Sequence, residues 1–327
     1  MSEKNEIILQ ASHLVKRFPA AGGRTLTACN DVSLSVRRGR TLGIVGESGC
    51  GKSTLVRMLL RMETPTAGEV SFHGTDVLSL RGEALRQYRR HVQMVFQDPL
   101  ASFHPKMKVI DILTEPLRNF GLLGRGQKER KARELLHLVG LPDELLHRYP
   151  HSMSGGQRQR IGIARALALE PEVLVCDEAT SALDVSIQRS IIELLVRLQR
   201  ETGVAIVFIC HDIALIRSFA HEIAVMYLGD VVEVLPGEAL SAQAAHPYTR
   251  ALLDAQFSIH TEPGQPIGSV TGEAPSPLAL PAGCPFQTRC PEAAERCRAE
   301  KPPLAALAPQ HETACWRLDT GREPQTG

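Results

Sequence analysis

Apolar and polar positions alternate between two periods along most of the chain. Thr41-Leu-Gly-Ile-Val-Gly46 is almost wholly apolar and predicts a buried strand. A glycine-rich turn follows, then a helix from near Lys52, with Leu55, Met58, Leu59 and Met62 at helical spacing. His91–Phe96 predicts a strand, and residues 127–140 a helix with Leu135, Leu136, Leu138 and Val139 on its apolar face. Gln157–Leu169 predicts a helix, Val173–Cys176 an all-apolar strand, 186–200 a helix, and Val204–Cys210 another buried strand. Ile223–Val234 predicts a strand or hairpin at the sheet edge. Continuously apolar strands alternating with helices imply an α/β fold with a largely parallel sheet covered on both faces. The pattern lapses after Phe257, where prolines 263, 266, 275, 277, 281, 285 and 291 predict a loop-rich connection.

Composition narrows the field. The chain has 327 residues, 43% hydrophobic and 22% charged, which excludes wholesale disorder and fits roughly two domains. Thirty-seven Lys+Arg against 36 Asp+Glu leave a net charge of +1, which argues against a dedicated nucleic-acid binder. No apolar run approaches the ~18 residues of a membrane span, and Met1–Ile7 lacks the apolar segment of a signal peptide. The expectation is a soluble, cytoplasmic protein. Of eight cysteines, Cys29, Cys50, Cys176 and Cys210 lie far apart, whereas Cys284, Cys290, Cys297 and Cys315 crowd near the C-terminus. In a reducing compartment such a cluster points toward metal more than disulfides, and its asymmetry suggests a main body with a separate tail.

The chemistry begins at Gly46-Glu47-Ser48-Gly49-Cys50-Gly51-Lys52-Ser53-Thr54, which fits G-x-x-x-x-G-K-[ST] between an apolar strand and a helix. The glycines let backbone N–H groups wrap an anion, and the helix N-terminus adds partial positive charge. Lys52 can reach β- and γ-phosphates, and the Ser53 hydroxyl can ligate Mg²⁺. Ser154-Gly155-Gly156-Gln157 opens an Arg-rich helix; alone it is an ordinary N-cap. The strand Val173–Cys176 then ends in Asp177, placed to hold Mg²⁺, and Glu178, placed to polarise an attacking water. A lone acidic pair at a strand end is usually a solvated loop, and a lone His unremarkable. Beside a phosphate loop, Asp177, Glu178, His211 and Gln97, each closing a predicted strand, gain a common purpose, with Gln97 a Mg²⁺ or water contact.

The ordered series resembles the ATP-binding cassette (ABC) family over about residues 6–255: Walker A at 46–54, Q-loop Gln97, signature at 153–157, Walker B at 173–178, D-loop Ser181–Asp184 and H-switch His211. The resemblance implies an ABC-type P-loop ATPase fold with a mainly parallel core, an antiparallel β part and a helical subdomain at about 98–165. It implies ATP and Mg²⁺ as ligands, with Lys52, Ser53 and Asp177 serving phosphates and metal. Glu178 would be the catalytic base, His211 its organising partner and Phe18 a candidate adenine-stacking residue. The signature has Met153 where Leu is typical, a volume-conserving change. In this family the signature of one chain closes over the ATP of another, so the resemblance, with one copy of each motif, implies a second ATPase subunit, a homologous heterodimer partner.

Several stretches resemble the bacterial peptide/nickel importers: Phe96–Ser102, Cys176–Gln188, His246–Leu253 and the tail Gly283-Cys-Pro-Phe-Gln-Thr-Arg-Cys-Pro-Glu292. Phe103-His104-Pro105 departs from the usual Leu-Asn-Pro near the surface expected to meet a membrane subunit. The resemblance implies two transmembrane permease subunits, an extracytoplasmic substrate-binding protein, no nucleic acid, and a peripheral place on the cytoplasmic side of the inner membrane. Residues 256–327 form its C-terminal extension. Cys284, Cys290, Cys297 and Cys315 lack the close pair usual for zinc; related tails imply an iron–sulfur cluster, with zinc and free or disulfide-linked thiols left open. The alternative is a soluble ABC ATPase acting in DNA repair or translation, a class that generally carries two cassettes or a long coiled-coil insertion. Neither is present here.

Overall fold

The computed structural model describes residues 6–255 and 272–318. In chain order the first elements are β1 (Ile7–Pro19), β2 (Thr25–Arg37), β3 (Thr41–Val45), α1 (Lys52–Leu59), β4 (Ala67–Phe72), β5 (Thr75–Asp76), α2 (Gly82–His91) and β6 (Val92–Val95). Next come α3 (Pro99–Ser102), α4 (Val109–Asn119), α5 (Lys128–Leu138), α6 (Gly155–Leu167), β7 (Val173–Asp177), α7 (Val185–Thr202), β8 (Ala205–Cys210) and α8 (Ile213–Arg217). The series ends with β9 (Glu222–Tyr227), β10 (Asp230–Pro236), α9 (Leu240–Gln243), α10 (Pro247–Asp254), α11 (Glu295–Ala299), β11 (Ala305–Ala308) and β12 (His311–Thr313). Of the proline-rich stretch, residues 256–271, with Pro263 and Pro266, lie outside the described residues.

Two compact units divide the chain. One holds residues 6–9, Val36–Thr41 and Ser71–Cys210. Its β6, β7 and β8 run parallel, Val92 opposite Val173 and Cys176 opposite Phe208. Every residue of Val173–Cys176 and Ala205–Cys210 is buried, as parallel strands covered on both faces require. Beside them α7 turns Ile191, Leu194, Leu195 and Leu198 inward, a 3.6-residue period. Helices α4, α5 and α6 pack on one another through Val109, Ile112 and Leu113, Ala132 and Leu136, and Ile161 and Ala164. At roughly 1.5–3 kcal/mol for each large apolar side chain buried, this packing outweighs any local helix preference.

The other unit holds Gln10–Ser35, Leu42–Val70, 211–255 and 272–318. Here β3 runs parallel to β9, Ile44 opposite Ala224, and β9 and β10 form a hairpin. Its turn places Leu228 at φ 46° and Gly229 at φ 86°, the left-handed pair that a tight hairpin needs. This hairpin is not an edge, contrary to the expectation from sequence. β12 pairs antiparallel with β10, Glu233 opposite Thr313, and β11 pairs with β12. The physical reason is that Ile223–Leu235 is buried throughout, too apolar to leave an open ladder. Nor is the tail separate, since its strands extend this sheet. Fully buried Glu233 clips it in place, accepting from the N–H of Ala245 (2.7 Å) and of His246 (3.2 Å) while pairing with His311 Nε2 (2.7 Å). A second difference is Met62, which the periodicity assigned to the helical face. The helix stops at Leu59, Arg61 turns left-handed at φ 55°, and Met62 is left 58% exposed.

Candidate functional site

The phosphate loop leaves buried β3 and enters α1, with Gly51 as its N-cap. Two glycines are obligatory for steric reasons. A Cβ on Gly46 would sit 2.1 Å from the Met226 carbonyl oxygen, and one on Gly51, at φ 104°, 2.0 Å from that of Ala28. Gly49 is left-handed too, at φ 78°. The Gly229 N–H donates to the Cys50 carbonyl at 2.9 Å, so the β9–β10 turn braces the loop from below. Cys50 is buried, and burial pushes its thiol up despite the opposing Lys52 charge. Lys52 is only 5% exposed. Its Nζ donates to the carbonyls of Gly46 (2.7 Å) and Glu47 (2.9 Å) and lies 3.6 Å from Cys50 Sγ. Among the described residues, a buried ammonium held by carbonyls and a thiol rather than a carboxylate keeps its charge for an anion. The Glu47 side chain turns the other way, to Arg289.

Glu178 follows β7 with φ 47°, a left-handed conformation rare for Glu that turns it out of strand geometry. Its N–H donates to Ile209 O (3.1 Å), and its carbonyl accepts from Ser181 N (3.1 Å) and Ser181 Oγ (3.0 Å). Gln97 Nε2 donates to Glu178 Oε2 at 3.1 Å and to Ser181 Oγ at 3.2 Å. The strand ends after β6 and β7 thus bring Gln97, Glu178 and the start of the Ser181–Asp184 loop together. Asp177 is half-buried at the last position of β7.

Ser154 caps α6 in a reciprocal box: Ser154 Oγ accepts from Gln157 N (3.3 Å) and Gln157 Oε1 from Ser154 N (3.0 Å). Gly155 and Gly156 have a packing role beyond the N-cap. A Cβ on Gly155 would meet Leu183 Cδ2 at 3.2 Å and one on Gly156 would meet Ile187 Cγ2 at 2.8 Å. Asp184, exposed, precedes α7 without a side-chain capping bond. His211 is exposed directly after β8, and Asp212 beside it caps α8. Phe18 is half-buried on β1 with Lys16 Nζ 4.8 Å from its ring centroid. Two residues that sequence reasoning gave no role are Tyr248 and Arg289. Tyr248 sits in the quoted His246–Leu253 stretch and Arg289 in the quoted Gly283–Glu292 tail, and neither stretch marks which of its residues reaches the phosphate loop.

Cys284, Cys290, Cys297 and Cys315 are free thiols lining one small cavity with Phe286, Pro302 and Trp316. Burial first, then the neighbouring thiols, pushes Cys284 up to about 12. Yet among the described residues no three His, Cys, Asp or Glu side chains converge closely enough to hold a metal ion. Four thiols on one cavity are the donor type that a cluster uses.

Residues 29–181 match the ABC transporter family model, and 232–297 match the oligopeptide/dipeptide transporter C-terminal region. A probable peptide ABC transporter ATP-binding protein of Sinorhizobium fredii is 48% identical, the match covering 95% of this chain and 90% of that one. The di/tripeptide transport ATP-binding protein DppF of Pseudomonas aeruginosa is 46% identical, over 95% and 97%. Among solved structures, a dimeric cassette in a post-hydrolysis state with ADP and phosphate superimposes with a TM-score of 0.64 at 29% identity, over 71% of this chain and 99% of that one. The chain belongs to the ATP-binding cassette family, on the branch that carries the oligopeptide/dipeptide transporter C-terminal region. It has the α/β P-loop cassette fold and is an ATP-hydrolysing transporter subunit, as its relatives establish. The glycine cradle and the carbonyl-held Lys52 fit the phosphates of ATP. Mg²⁺, when bound, neutralises phosphate charge.

Proposed function

We propose that this chain hydrolyses ATP to drive uptake of di- or oligopeptides, nickel or a related solute through a membrane importer. The observation that carries the reading is the similarity to peptide-transport ATPases along 95% of the chain, through both the cassette and the extension. In this reading residues 6–255 are the cassette, with a helical subdomain at about 98–165, and 256–327 the extension. Gly46–Thr54 cradle the phosphates, and Lys52 supplies the charge. Glu178 takes the proton of the attacking water. Gln97, donating to Glu178 Oε2, holds that carboxylate in place and serves the Mg²⁺ or water contact. His211 organises the base and Phe18 stacks on adenine. Ser154–Gln157 and Asp184 complete the ATP site of a second, homologous subunit. The other partners are two permease subunits and an extracytoplasmic binding protein, on the cytoplasmic face of the inner membrane. No helix among the described residues is long and apolar enough to cross a membrane; in this reading those partners hold the chain at the membrane.

The decisive experiment is Glu178→Gln. ATP turnover should fall by ~10²-fold or more while nucleotide binding persists, given what a positioned general base contributes. Turnover near normal removes Glu178 from the role. For the extension, the ground for a cluster is that all four thiols line one cavity. Absorbance at about 400 nm with iron analysis of anaerobically purified protein tests it. An iron-free, colourless sample leaves four thiols.

A further inference from the structure

Arg289 lies in the extension between two of the clustered cysteines, 242 positions from the phosphate loop, yet it reaches that loop directly. Its Nη1 donates to Glu47 Oε2 at 2.8 Å and its Nη2 to Glu47 Oε1 at 3.1 Å, a bidentate pair. Nη1 also donates to Tyr227 Oη at 3.3 Å, and the guanidinium lies 5.8 Å from the Tyr227 ring centroid. The Arg289 side chain is 6% exposed and that of Glu47 31%. Burial opposes the Arg289 charge, but the bonds to Glu47 and Tyr227 outweigh it and raise the guanidinium above its ordinary range.

A second tether holds the same residue. The Glu47 N–H donates to Tyr248 Oη at 2.9 Å. Tyr248 and Tyr227 pack with centroids 4.6 Å apart, and fully buried Phe286 of the extension contacts both rings, at 5.4 and 5.2 Å. Glu47 is therefore fixed at its carboxylate by Arg289 and at its amide by Tyr248. Its remaining backbone group, the carbonyl, is one of the two that hold Lys52 Nζ. A shift of Glu47 moves that carbonyl, and with it the resting place of the phosphate-binding ammonium.

We infer that Arg289 is a positioning residue for nucleotide binding, setting the phosphate loop and Lys52 through its bidentate hold on Glu47. The inference rests on the reading of Gly46–Thr54 as the phosphate loop. It gives the extension a part in ATP binding that needs nothing bound at its cysteines. A planar guanidinium is required for the fork; an ammonium at the same place can satisfy one oxygen at a time.

The test measures the Kd for ATP and the apo melting temperature of the full-length chain, wild type and variants. Arg289→Ala should weaken ATP binding about tenfold, and Arg289→Lys should recover only part of the loss. Glu47→Gln cuts the pair from the loop side, and the double variant should bind no worse than the weaker single one, because both remove one interaction. In steady-state assays the loss should appear in KM, with kcat at saturating ATP changed less than about twofold. Arg289→Ala with Kd within twofold of wild type and only a lower melting temperature would make the pair a structural staple and overturn the inference. So would effects of R289A and E47Q that multiply. Should Arg289→Ala not fold, Arg289→Lys and Glu47→Gln carry the same cycle. Lys52→Ala separates the two readings: if ATP still binds, the phosphate-loop reading falls and takes this one with it. If Lys52→Ala abolishes binding while Arg289→Ala does not weaken it, the present inference falls alone.

Discussion

Two glycine-rich segments start helices in this chain, Gly46–Gly51 ahead of α1 and Ser154–Gly156 at the cap and first turn of α6. In the first, the glycines are demanded by backbone: positive φ at Gly49 and Gly51, and carbonyl oxygens within 2.1 Å of the missing Cβ atoms at Gly46 and Gly51. In the second, Gly155 and Gly156 lie within α6, and what crowds them is the side chains of Leu183 and Ile187. The first turn is braced by other segments, through the Gly229 amide and Tyr248. The second closes on itself through its Ser154–Gln157 box. A backbone clash cannot relax, whereas a side chain can. One motif is therefore fixed by its own geometry and the other by what packs beside it.

Gly51→Ala should do the most harm. It combines a strained left-handed residue with a 2.0 Å approach to Ala28 O, a cost of roughly 3 kcal/mol or more. Denaturant unfolding should show it together with loss of ATP binding; wild-type stability would break the contrast drawn above. Next is a pH effect confined to the braced loop. His246 caps the helix that carries Tyr248, accepting from its N–H at Nδ1 (3.1 Å). Burial, with the Arg250 charge adding to it, lowers its pKa from 6.5 to about 3. The folded chain keeps this imidazole neutral while the unfolded chain takes up a proton below about 6.5. Stability should therefore fall as pH drops from about 6.5 towards about 3, by at most on the order of 5 kcal/mol. His246→Asn keeps an acceptor without the titration and should flatten the slope of unfolding free energy between pH 7.5 and 5. An unchanged slope would remove His246 as its source.

Ser154→Ala removes the side-chain half of the capping box and leaves the backbone N–H of residue 154 to Gln157 Oε1; it should cost about 1 kcal/mol in unfolding free energy. A null result would mean that α6 is held by its packing alone. Gly156→Ala should be the mildest. The added methyl must displace Ile187, which is 37% exposed and able to give, while Ala gains helix propensity. The net change should stay within about 1 kcal/mol, and Ile187→Ala on top, which removes the Cγ2 that the methyl meets, should recover any loss. A cost matching that of Gly51→Ala would erase the distinction between the turns.

The alternation of buried strands and helices was legible because a covered parallel strand must be apolar at every position, and β7 and β8 are. The phosphate loop was legible because its glycines, lysine and hydroxyl all lie within nine residues. Gln97 and Glu178 were found by strand ends and motif order, and their 3.1 Å contact follows from neighbouring parallel strands. The helix stop before Met62 escaped, because periodicity carries no mark of the left-handed turn at Arg61. The pairing of β12 with β10 escaped as well, since a short strand some eighty residues away has no signal until its partner ladder is seen.

Sequence by itself determined the class of this protein and its nucleotide chemistry, because those depend on short runs with fixed local geometry. Tertiary structure alone decided that the C-terminal extension is built into the sheet and that Arg289 and Tyr248 hold Glu47. Those contacts join segments 201 and 242 positions apart. Nothing in the local chemistry of an arginine or a tyrosine names its partner; packing around the buried Tyr227, Tyr248 and Phe286 rings does.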